Sequence, residues 1–165
     1  MKTLQEEDLI FDFTFADKAE RFDDKKLHGN KSTMKKVDFI LEDKDRLIFL
    51  EVKDPDIPGA QNIDQFRTDL NDGALISDLA GKYRDSLLFS IFRGPIDKPV
   101  DYVVLLSMAV LEDALILHKI DALKKAIPLT HKRWGQPAAN SCVILKLDTY
   151  KKIFGDQSVW RASDF

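Results

Sequence analysis

The segment from Lys35 to Lys53 constrains this chain most. Lys35 to Leu41 and Arg46 to Lys53 read as two strands joined by the polar Glu42-Asp43-Lys44-Asp45, and a hairpin admits few registers when its faces are apolar. Pairing Glu42 with Leu47 across a four-residue turn sets Asp38 directly opposite Glu51. Opposed side chains project from the same face with Cβ atoms roughly 4.5–5.5 Å apart. Lys53, two residues beyond Glu51, shares that face. A turn of odd length would change the register, so the geometry depends on this turn. Phe39, Ile40, Leu41, Ile48, Phe49 and Leu50 are all apolar, which predicts a hairpin buried on both faces with its acids emerging at the open end.

Two carboxylates this close repel each other unless one takes up a proton or a cation lies between them. A divalent metal with hard oxygen ligands resolves the conflict, and Mg²⁺, or Mn²⁺ in its place, suits Asp38 and Glu51 best. Lys53 then has two roles open to it. Its ammonium can orient a water and stabilise charge developing on phosphorus, or, with its pKa lowered, it can act as a base.

Val37-Asp38, followed after twelve residues by Glu51-Val52-Lys53, resembles the signature of the PD-(D/E)XK nuclease superfamily, with valine in place of the proline. The resemblance covers roughly residues 35 to 55. It implies a restriction-endonuclease-like core, an α/β fold with a mixed β-sheet sandwiched by helices. It also implies metal-dependent hydrolysis of phosphodiesters in nucleic acid, with DNA the expected partner and the Val52 backbone carbonyl as a third metal ligand. Many members add an acid from an early helix, for which Glu20, Asp23 and Asp24 are candidates and Glu7 a more distant one. Some place a glutamine at the start of the next helix, where Gln61 and Gln65 stand. In Lys82-Tyr83-Arg84-Asp85-Ser86, Lys82 and Arg84 either deliver cations to the active face or tie their helix to its neighbours by ion pairs.

The remainder of the chain agrees with one domain over residues 1–165. Phe11 to Phe15 alternates as a half-buried strand does, and the polar stretch from Ala16 to Lys26 leaves room for a short helix. Two prolines end the second hairpin strand at Asp54-Pro55-Asp56-Ile57-Pro58. Helical periodicity runs from Ile63 to about Phe92, with a break expected near Asn71-Asp72-Gly73 and an apolar stripe through Leu75, Leu79, Tyr83, Leu87 and Ile91. Val100 to Met108 reads as a buried strand, Glu112 to Ile127 as an amphipathic helix, Thr130 to Asn140 as a loop and Cys142 to Leu147 as a last strand. Hairpin, helix, strand, helix, strand is the order of an α/β sandwich around a mixed sheet.

Charge decides what kind of binding this chain supports. With a net charge of −3 it lacks the basic surface of a protein that holds nucleic acid by its whole exterior, so contact must be local. Lys25, Lys26, Lys31, Lys35 and Lys36 form one basic group, and Lys119, Lys124, Lys125, Lys132 and Arg133 another; each also reads as a solvated face. The single cysteine, Cys142, sits in an apolar run and is expected to be a buried thiol, and the lack of disulfides, secretory signal and long apolar run points to a cytoplasmic protein without membrane partners. The three histidines have no metal-ligand spacing, although His28 stands close before the first motif. Trp134, between Arg133 and Gly135, either stacks on a base or packs over the core. The absence of a nucleotide-binding loop argues against coupled NTP hydrolysis. Three readings follow: a nuclease, which at this size would cut a duplex as a homodimer; a catalytically silent module of the same fold that binds nucleic acid or a protein partner in a defence or repair complex; or a different small α/β domain in which the hairpin acids are structural.

Overall fold

The computed structural model describes residues 2–165. Its centre is a five-stranded mixed sheet built from β3 (Lys18–Arg21), β4 (Phe39–Glu42), β5 (Leu47–Lys53), β6 (Val100–Leu106) and β7 (Ser141–Leu145), in that spatial order. The first three strands are antiparallel to one another, whereas β5, β6 and β7 run parallel. The hairpin register is the expected one, with Glu42 opposite Leu47 and Phe39 opposite Leu50. Every residue of β6 is buried, as befits the inner member of a parallel set covered on both faces.

The chain reaches β6 through α2 (Ile63–Asp72) and α3 (Ala74–Arg93), and β7 through α4 (Asp113–Ala126). Gly73 separates the first two helices with φ of 91°, a left-handed conformation that a residue with a Cβ adopts at a cost. The Leu75-Leu79-Tyr83 stripe of α3 lies against Phe49, Tyr102 and Val104 of the sheet in one core.

The opposite face differs from a layer of helices. There β1 (Thr3–Glu6), β2 (Leu9–Asp12) and β8 (Val159–Arg161) form a second, antiparallel sheet. Together with α5 (Leu147–Phe154) it covers Phe39, Leu41, Ile48, Leu50, Val52, Val103 and Leu105 with Leu9, Phe11, Phe13, Tyr150 and Val159. The expected sandwich of helices is therefore corrected to helices on one face and a small sheet with one helix on the other. The physical reason is the aromatic alternation of Phe11 and Phe13, which supplies a flat apolar layer from a strand. Ala16 to Lys26 likewise carries β3 and only the first residues of a one-turn helix, α1 (Lys25–His28). Lys35 to Asp38 lies outside the ladder. Among the described residues no helix is long and apolar enough to cross a membrane.

Candidate active site

The ladder between β4 and β5 ends where the acids begin. Continued, the register would set Asp38 opposite Glu51 and Val37 opposite Val52, but Val37 N–H donates instead to Ser86 Oγ on α3 at 2.9 Å, and Val52 N–H donates to Asp38 Oδ2 at 2.7 Å. Lys53 turns its carbonyl to β6, where Ser107 N–H donates to it at 2.8 Å. Alternation along the strand therefore aims the Val52 carbonyl toward Asp38 without a ladder donor. The backbone of Asp38 is held by Phe22 N–H, which donates to its carbonyl at 2.8 Å. Asp38 thus sits at the start of β4 and Glu51 near the end of β5, both buried.

Burial and the neighbouring Glu51 and Glu6 carboxylates push the Asp38 carboxyl up to about 8, against the opposing pull of the Val52 N–H and Lys82. Burial also raises Glu51, although Lys82 and Lys53 favour its charged form. Both ammoniums address one oxygen: Lys82 Nζ lies 2.5 Å and Lys53 Nζ 3.3 Å from Glu51 Oε1. Glu51 Oε2 is buried with no hydrogen-bond partner among the described residues. An unpaired carboxylate oxygen in the interior is costly. That oxygen, the Asp38 carboxylate and the Val52 carbonyl are hard-oxygen donors of the type that Mg²⁺ or Mn²⁺ takes, but among the described residues the acids close enough to share one ion are Glu6, Asp23 and Asp38, without Glu51.

Asp38 also belongs to a second group. One carboxylate oxygen each from Glu6, Asp23 and Asp38 lie within 4.8 Å of one another. Arg21 stands against the first two, with its guanidinium 2.6 Å from Glu6 Oε2 and 3.4 Å from Asp23 Oδ1. Of the acids expected to support the site, Asp23 is thus present. Glu6, the other acid of the group, is not among the expected residues; it comes from β1, and a short strand ahead of a tight turn gives no sequence signal for this. Glu7, its neighbour, is the only described non-glycine residue with positive φ, at 49°.

Lysine placement on this end of the sheet depends on α3. Asp78 Oδ1 accepts from Lys35 Nζ at 2.7 Å, while its other oxygen lies 3.9 Å from Lys53 Nζ. Lys35 reaches Asp78 by crossing Gly81, where a Cβ would come within 3.1 Å of its side chain. Lys82 therefore joins Asp38, Glu51 and Lys53 in the site, and Gln61 lines a pocket that Lys53 also lines.

Other expected residues are engaged elsewhere. Glu20 forms a two-pronged pair with Arg93, both contacts 2.8 Å, and Arg84 donates to the Ala126 carbonyl at 2.6 Å, tying α3 to α4. Asp24 caps α1 through Lys26 N–H, and Gln65 donates to Asp69 within α2. The His28 ring packs between Phe22 and Phe89 and contacts the Phe22 carbonyl at 2.6 Å. Cys142 is buried, which pushes its thiol up to about 12, and Trp134 stands in a loop beside Leu87, Ile91 and Val100. Comparison with protein-family models, with curated proteins and with solved structures returns no match for the chain.

Proposed function

We propose that this chain is a metal-dependent nuclease that hydrolyses phosphodiester bonds in nucleic acid, with DNA the first substrate to test. One observation carries the reading: at the open end of β4 and β5 a buried Asp38, held by the Val52 N–H, and a buried Glu51 with an unpartnered oxygen lie together with Lys53, which contacts Glu51. The Asp element immediately precedes β4 and the Glu-X-Lys element ends the adjacent β5, followed by two helices and a parallel strand, an order that agrees with a restriction-endonuclease-like core.

Asp38, Glu51 and the Val52 carbonyl would hold Mg²⁺ or Mn²⁺, with Glu6 or Asp23 within reach of the Asp38 side. Bound there, the ion would supply Lewis-acid polarisation of the phosphodiester and of the attacking water. Lys53, braced between Glu51 and Asp78, would orient the attacking water and supply positive charge where negative charge develops at the phosphoryl group. Lys82 provides the counter-charge for Glu51 across the sheet-helix interface.

Incubation with plasmid and oligonucleotides in Mg²⁺, Mn²⁺ or EDTA tests the proposal. Cleavage that needs the metal and disappears in Lys53→Ala supports it. Cleavage that persists in EDTA, or that Asp38→Ala leaves intact, refutes the assignment of the site. A silent binding module is the second reading, favoured by the two ammoniums already gathered on Glu51 Oε1 and by the net charge of −3. It predicts binding of nucleic acid or protein without cleavage under any metal.

A further inference from the structure

Beside Lys53 the chain forms a pocket of about 320 Å³ that the hydrolytic chemistry does not use. Its apolar lining is Pro55, Ile57, Ile63 and Phe66, and Glu7, Asp54, Gln61 and Asn62 line it with polar groups. Asn62 occupies the N-cap position of α2 yet makes no side-chain cap bond, so its amide is available to a ligand. Gln61 is exposed beside it. The pocket therefore combines a flat aromatic ring, branched aliphatic walls and amides at the mouth, and it opens next to the ammonium assigned to the reacting phosphate. Few apolar groups can lie one bond-chain away from a phosphodiester; in nucleic acid it is the base.

We infer that this pocket receives an unstacked nucleobase of the nucleotide adjoining the scissile phosphate, so that the substrate is single-stranded or frayed nucleic acid rather than intact duplex. The inference rests on the nuclease reading and deepens it. A base paired and stacked in a duplex cannot enter a side pocket without being extruded, whereas an unpaired strand presents its bases freely to aromatic platforms. The charge of the chain agrees. Duplex binding draws on extended neutralisation of phosphates, whereas Lys53 is the cation that lines this pocket and Lys82 and Lys35 are paired with Glu51 and Asp78. Apolar capture of one base supplies affinity that a net charge of −3 does not.

The test compares three substrates in Mn²⁺, with a blunt duplex of the same strand as the paired control: a single-stranded oligonucleotide, the same strand carrying one abasic nucleotide at successive positions, and bis(p-nitrophenyl) phosphate, which has no base. The wild-type protein is expected to cut the single strand in preference to a blunt duplex and to lose about tenfold in rate at one bond when its neighbouring base is missing. Ile57→Trp, which fills the pocket, is expected to lower the ratio of oligonucleotide to bis(p-nitrophenyl) phosphate kcat/KM about tenfold. Phe66→Ala should move the ratio the same way, and Ile57→Trp covers the case in which that truncation unfolds α2. Equal cleavage of intact and abasic strands, or an unchanged ratio in a folded Ile57→Trp protein, overturns the base pocket and leaves the nuclease reading standing. Failure to hydrolyse any of the three substrates refutes the nuclease reading and this inference with it.

Discussion

Glu51 and Asp54 lie three residues apart, on and just beyond β5, and both are buried, but their surroundings are opposite. Asp54 receives two parallel bonds of 2.8 Å from Arg161, whose guanidinium also reaches Asp8 and Ser107. Both oxygens of Asp54 are satisfied, in the fork geometry that suits carboxylates best. Glu51 has two ammoniums on one oxygen and nothing on the other. Asp101, at the far end of the sheet, repeats the first pattern: burial opposes its ionisation, but Arg46, Ser141 and Asn140 hold its carboxyl below the usual range. Among the described residues no arginine or lysine is bonded to Asp38, and burial with the Glu51 and Glu6 carboxylates beside it raises it to about 8. Where acids serve the fold, the chain supplies arginine and closes the set; where it leaves an oxygen open and carboxylates crowded, an incoming group has to complete the arrangement.

The largest effect on stability should come from breaking the closed set. Arg161→Leu strands Asp54 in the interior and is expected to cost about 3 kcal/mol, read as a fall in Tm of roughly 6–12 °C. Loss of under 1 kcal/mol would mean that the two acid environments do not differ as described.

A pH titration of Tm in EDTA sharpens the other half of the comparison. The folded state keeps a proton on Asp38 up to about 8, whereas the unfolded chain releases it near the ordinary carboxylate value. The folded state then binds more protons over that window, so stability present at low pH is lost as the pH rises from about 4 through about 8. Tm should fall by about 5 °C between pH 5 and pH 8, and Asp38→Asn should flatten the curve. A Tm that rises over this interval contradicts the open set.

Ser86→Ala probes how α3 ends the ladder. It removes the acceptor for the buried Val37 N–H and is expected to cost about 1–2 kcal/mol by chemical denaturation. Smallest of all are Glu20→Gln and Arg84→Ala. Their partners lie at exposed positions away from the acids, and each should change stability by less than about 1 kcal/mol and leave cleavage at the wild-type rate.

Much of the hairpin was legible because its register follows from a local turn and from alternation along two short strands. Asp38, Glu51 and Lys53 were placed together by that register alone, and Gly73 marked the break between α2 and α3. The sheet of β1, β2 and β8 was not legible, since it pairs residues near the two ends of the chain, Leu9 with Arg161 and Phe11 with Val159. Long-range pairing of that kind leaves no periodic trace in any one window. Glu6 was hidden for the same reason: its approach to Asp38 depends on how that sheet is laid over the central one. Glu20 was expected at the site but its alternation along β3 sends it to Arg93, and Lys82 could be read as either a site cation or a structural ion pair until its contact with Glu51 was seen.

The most direct test of the open acid set is calorimetric titration of the intact chain with Mn²⁺ at about pH 8, where Asp38 can give up its proton. The account predicts saturable binding to wild-type protein that Glu51→Gln and Asp38→Asn each abolish or weaken at least tenfold, while both variants remain folded. No binding by the wild type, or equal binding by all three proteins, would contradict it.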